Sequence, residues 1–187
     1  MRVVIFFLGI ILGAGMLLSL QGYYPVALVE KTPIFYHVWE KMRQSAMHYA
    51  NVQQVSAGWP EINFYASDNQ ELLENIKKGT LSFLIEDTII GQEGPNIDDA
   101  FRVIVRERIE NALRSSQTAA EGAEKLYGLS FEDFRELVLM PQARRDVLRE
   151  HFSTVNIDPD QWLAEVKRKK RVRLFFVPYR WNGETVE

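Results

Sequence analysis

The stretch Leu126–Phe152, "LYGLSFEDFRELVLMPQARRDVLREHF", decides how this sequence is read. Ser130 is an N-cap by residue type, and Asp133 places an acid in the first turn, where the helix dipole favours it. Phe131, Phe134, Val138, Pro141, Leu148 and Phe152 then fall near one helical stripe. Pro141 interrupts the pattern. Proline has no N–H to donate, and its ring crowds the carbonyl four residues back, here that of Leu137, at a cost of roughly 3 kcal/mol in a helix interior. The expectation is two helical segments meeting at Pro141, the first packed on the preceding helices and the second swinging away. Such a bend either lets a surface helix follow the curve of the core or opens one wall of an apolar cradle.

Working outward, Gly128 suits a left-handed cap for a short helix opening at Thr118 and stopping at Tyr127. Before it, Asp98 to Ser115 carries Phe101, Ile104, Val105, Ile109 and Leu113 at helical spacing, with Arg102, Arg106 and Arg114 outside. A longer helix is expected from Asp68 to Gln92, started by a capping box of Ser67 and Gln70 and ended by "GPN" at 94 to 96. Gly79 could break or bend it. Upstream, Phe35 to Val52 reads as a helix with Val38, Met42, Ser45 or Ala46, and Tyr49 on one face. Val26 to Val29 reads as a buried strand, Glu30 to Pro33 as a turn, and Ile34 as the start of a return strand. Downstream, Pro159 to Lys169 is a helix and Val172 to Val177 a strand. Asn182-Gly183 then signals a hairpin that folds Glu184 to Val186 back. The fold class is mainly α with a small β element, the strands near both ends forming one small sheet.

The amino end reads "VVIFFLGIILGAGMLLSL" from residue 3 to 20 without a charge. A hydrocarbon core about 30 Å thick takes roughly 20 apolar helical residues. Tyr23 and Tyr24 suit the interfacial aromatic belt. The run is longer than a usual signal-peptide core and lacks a small-x-small pair for cleavage. A retained single-pass anchor is therefore preferred to a cleaved signal or a buried helix. Arg2 alone biases the amino end to the cytoplasm, leaving the domain outside the cytoplasmic membrane. The division is residues 1–24 as anchor and 25–187 as one helical domain.

Chemistry is sparse. The chain has no cysteine, so disulfides, thiol catalysis and thiolate metal sites are excluded. His37, His48 and His151 are its only histidines; the first two, on one predicted helix, stand roughly 16 Å apart and cannot share a metal. There is no Gly-x-Ser-x-Gly elbow and no phosphate loop. The adjacent acids Glu86/Asp87 and Asp98/Asp99 point about 100° apart on a helix and read as solvated faces or caps. A net charge of −3 gives no reason to expect nucleic acid. No metal, cofactor or enzymatic activity is expected. The one basic run, Lys167 to Arg173, reads as a charged helix end with Arg171 and Arg173 facing solvent, or as a contact for lipid headgroups or acidic partners.

Three stretches carry a family resemblance. "YPVALVEKTPIFYHVWEKM" is similar to the strand, tight turn, strand and helix that open the SurA amino-terminal domain, with Glu30-Lys31 where that family usually has Asn-Gly. "LSFLIEDTIIGQE", Leu81 to Glu93, resembles its apolar-acidic helix, and the stretch quoted first resembles membrane-anchored relatives with a Tyr-Gly, Leu-Ser, Phe-Glu-Asp-Phe start, a Pro-Gln step and an Arg-rich end. The likeness covers about residues 24 to 152. It implies the chaperone module of SurA-like and PrsA-like foldases. The family's parvulin isomerase domain, with its His-Ile-Leu-Val strand and Gly-Gly-Asp-Leu-Gly loop, has no counterpart here, nor room between Phe152 and Glu187. The expectation is a non-catalytic domain that binds unfolded or nascent secreted polypeptides, with Trp59, Phe64, Tyr65, Phe131, Phe134 and Pro141 as client-binding candidates. The alternative is a structural adaptor for one envelope partner.

Overall fold

Pro25–Val29 (β1) and Thr32–Phe35 (β2) pair antiparallel across a turn at Glu30 and Lys31. The computed structural model describes residues 22–115 and 119–187. Glu30 takes a φ of 54°, in the left-handed region that residues with a side chain rarely occupy. Two bonds hold it there: its N–H donates to the Arg171 carbonyl at 2.9 Å, and its Oε1 accepts from the Arg171 N–H at 2.9 Å. These bonds lead into Val172–Leu174 (β3), which pairs antiparallel with the other edge of β1, giving the order β2-β1-β3. The small sheet built from both ends of the domain is present. Its third strand is shorter than expected because Phe176 turns to a φ of 56° and leaves the extended region.

The helices are α1 (Tyr36–Ser56), α2 (Gln70–Ile97), α3 (Phe101–Ser115), α4 (Ala119–Tyr127), α5 and α6 (Pro159–Lys169). α5 is composite: Phe131–Phe134, a π-helical segment Arg135–Leu139, then Met140–Val155. The expected caps hold at Ser130, whose hydroxyl accepts from the Asp133 N–H at 3.1 Å, and at Gly128, with φ 63°. The capping box at Ser67 does not form. Instead a 3-10 turn at Ser67–Asn69 precedes α2, and the Gln70 amide reaches back to the Tyr65 and Ala66 carbonyls. Gly79 leaves α2 unbroken, and the helix runs on through Gly94 and Pro95. A proline in the last turn removes only one bond there.

Two cores share α2 and α5. The first gathers Val26 and Val29 of β1, Trp39 of α1, Leu81, Ile85 and Ile89 of α2, Leu137 of α5, and Val186. The second joins Ile90, Phe101, Val105 and Ile109 to Ala143 and Val147 of α5. The part of α5 beyond Pro141 therefore does not swing away. Its apolar side chains fill the second core, and that burial outweighs any tendency to splay.

The turn at Asn182 also forms: the Asn182 Oδ1 accepts from the N–H groups of Glu184 and Thr185 at 2.9 and 2.8 Å, and Trp181 bridges to Val186. The expected anchor at 3–20 and the Thr118 start of α4 lie outside the described residues. Among the described residues, no helix is long and apolar enough to cross a membrane.

Candidate functional site

A cleft of about 400 Å³ opens between α1, α4 and α5. α1 supplies Met42, Ala46 and Tyr49 on successive turns, the face its apolar spacing predicts. Phe83 of α2, Tyr127 of α4, and Leu137 and Val138 of α5 complete the apolar lining. The π-helical segment supplies both of those α5 residues. There the Met140 N–H donates to the Arg135 carbonyl five residues back, just before Pro141, which has no N–H. The ladder widens by one residue where a donor is missing, and such segments are frequent at functional sites.

Aromatic contacts fix the walls. Tyr49 and Tyr127 stack with ring centres 5.2 Å apart at 14°, and Phe134 meets Tyr127 from the far side at 5.2 Å. Burial pushes the Tyr127 phenol above its usual range, and Tyr49 adds to the effect. The Arg145 guanidinium lies 4.5 Å over the Phe83 ring and donates to Glu86 at 2.7 Å. Gln142, Asp146 and Arg149 also line the cleft, and, beside the Glu150 bond, the Asp146 carboxylate helps hold the Arg108 guanidinium protonated. The site thus offers an apolar trough lined in part by polar groups.

The sequence candidates scatter. Phe134 supports the cleft through Tyr127, and Phe131, 42% exposed, stands one turn earlier on α5. Trp59 and Tyr65 are both exposed, in the segment between α1 and α2. Phe64 and Pro141 are both buried, and Pro141 lines a second cavity with Val38 and Leu137. Sequence reading missed Met42, Tyr49, Phe83 and Tyr127 as a group. Only the amphipathic spacing of α1 pointed toward them.

The acids on α2 also need correction. Burial pushes the Asp87 carboxyl above its usual range, against Arg144 and Arg145, and Arg144 donates to it at 2.5 Å. Glu86 accepts from both Arg145 and Lys167, the latter at 3.0 Å. Neither acid is a free solvated face. Within the basic run, Lys167, Arg168 and Lys170 are engaged by Glu86, Glu184 and Glu93, while Arg171 and Arg173 are exposed. His37 and His48 each meet a backbone carbonyl, of Gly22 and Lys125. No group of metal-ligating side chains occurs among the described residues. Compared with known protein families, curated proteins and solved structures, the chain matches none.

Proposed function

We propose that this chain is a membrane-anchored, non-catalytic chaperone-like domain of the SurA amino-terminal kind, which holds unfolded or nascent secreted polypeptide outside the cytoplasmic membrane. The observation that carries the reading is the open cleft lined by Met42, Tyr49, Tyr127 and Val138, with polar side chains of Gln142, Asp146 and Arg149 beside them. A trough of this kind takes an apolar side chain of an extended segment, while the polar groups bond to its backbone. The charge-free run at 3–20 supports the anchor. No cofactor takes part in the reading.

The test is suppression of aggregation by the purified chain, using two unrelated unfolded proteins. Suppression of both is expected, with most of it lost in Val138→Glu, which puts a charge on the apolar wall. If neither client is protected, general client binding is wrong and the dedicated-adaptor reading takes its place. If V138E protects as well as the parent chain, the cleft is not the binding surface.

A further inference from the structure

The aromatic residues where the described chain begins play no part in the cleft. The Tyr24 ring stacks on Tyr36 at 5.1 Å and meets Phe176 edge-on at 5.7 Å, and Tyr23 lies 4.5 Å from the His37 ring. The Gly22 carbonyl accepts from the His37 N–H at 3.1 Å, which pins this end of the chain to the first turn of α1. Phe176 is 82% exposed, the most exposed large apolar side chain described. Its φ of 56° is one that a bulky residue avoids. Apart from its edge contact with Tyr24 the ring stands in water on a strained backbone, an outlier of the kind that clusters at functional sites.

The chain itself names the occupant. Immediately before Gly22 comes the charge-free run 3–20. Tyr23, Tyr24 and Phe176 therefore stand where an anchored chain leaves the bilayer, the depth at which aromatic rings collect.

We infer that Phe176, brought beside Tyr24 from the far end of the sequence, is a membrane-interface foot whose ring enters the boundary between headgroups and acyl chains. The inference rests on the anchoring part of the proposed function and is independent of the cleft. Contact is aromatic rather than electrostatic. Arg173 and Arg171 lie further along β3, opposite Leu28 and Glu30, each step about 3.3 Å further from the foot.

Because the chain has no cysteine, single substitutions can be labelled cleanly. Phe176→Cys and Val103→Cys, the latter exposed on α3, are labelled with an environment-sensitive fluorophore in the full chain, reconstituted in zwitterionic phosphatidylcholine vesicles. The probe at 176 is expected to emit at shorter wavelength and to be quenched several-fold more by a lipid-tethered nitroxide than the probe at 103. Equal quenching at both positions, in a chain that resists alkaline extraction, overturns the foot and leaves the anchor standing. A blue shift without lipid quenching also overturns it, because the ring is then covered by protein. Loss of the chain on alkaline extraction removes anchor and foot together. Phe176→Gly, which accepts the positive φ, is expected to raise the melting temperature while loosening the domain's contact with the vesicle surface.

Discussion

Gly79 and Gly94 occupy the same helix and have opposite reasons to be there. At Gly79 an added methyl would meet nothing within 4 Å, so the residue only loses helix propensity. At Gly94 the methyl would stand 2.2 Å from the Phe101 ring, which is buried in the second core. Gly79→Ala should therefore raise stability by about 1 kcal/mol, and Gly94→Ala should lower it by about 1–3 kcal/mol as the ring is forced aside. Urea midpoints of the two variants measure both signs at once. Glu86 makes a similar contrast with Glu184. Glu86 holds two cations at side-chain exposures of 13 to 27%, whereas the Arg168–Glu184 pair is largely exposed. Glu86→Ala should cost about 2 kcal/mol, between the values for exposed and buried pairs, and Glu184→Ala should leave the unfolding curve where it was. The role of Glu86 was illegible in sequence because its partners come from residues 59 and 81 positions away. Local spacing can place an acid on a helix face but cannot say what packs against that face.

At the scale of elements, α6 is held by apolar contacts together with charge. Val166 packs on the first core, Leu163 on the second and Trp162 against Phe152, and to these apolar contacts Lys167 adds a bond to Glu86 and Lys170, the residue that ends α6, one to Glu93. The bond from Lys170 holds the Glu93 carboxyl below its usual range, with burial opposing and Asn96 assisting. A depressed folded-state value means that stability from this pair is present above the unfolded carboxyl value and is lost as pH falls through the folded one. α6 should therefore loosen on the acid side, below the ordinary carboxylate range. Asp87 acts in the opposite sense, since its raised value makes protonation easier in the folded chain, and its contribution grows as pH drops. Hydrogen exchange should then find α6 amides opening in acid before those of α2; equal protection at both would refute a contribution of the Lys170–Glu93 bond to its docking. α5 marks the limit of sequence reading at this scale. Ser130, Gly128 and the apolar stripe were legible because caps and periodicity are local. The widening at Arg135–Leu139 was not, because a missing N–H can be absorbed by a kink or by a π segment, and burial of Leu137, Pro141 and Ala143 decides between them. The cleft was legible only by halves, as one face of α1 whose opposite wall depends on how α4 and α5 return.

For the whole molecule, the governing feature is that the two ends of the domain complete each other. β1 is the central strand, yet its second neighbour comes from Val172–Leu174, and Val186 closes the first core with 5% exposure. The Val186 N–H donates to the Ser82 hydroxyl at 2.8 Å, so this last hairpin is bonded into the middle of α2. Trp39 lies in the same core and donates to Thr80 at 3.1 Å, two residues before Ser82. The final segment is thus a structural member of the main core rather than a tail resting on its surface. Burying a side chain of valine size contributes about 1.5–3 kcal/mol, and the bridge at Trp181 is lost along with it. Deleting residues 181–187 should then lower stability by at least about 2 kcal/mol. The loss should appear as one transition shifted to lower urea, seen equally by tryptophan fluorescence and by helical circular dichroism, because the core that opens is the one α1 and α2 share. If instead the deletion left the helical transition in place and altered only the fluorescence, the hairpin would be an accessory, and the sheet would not need both ends of the chain to hold the helices together.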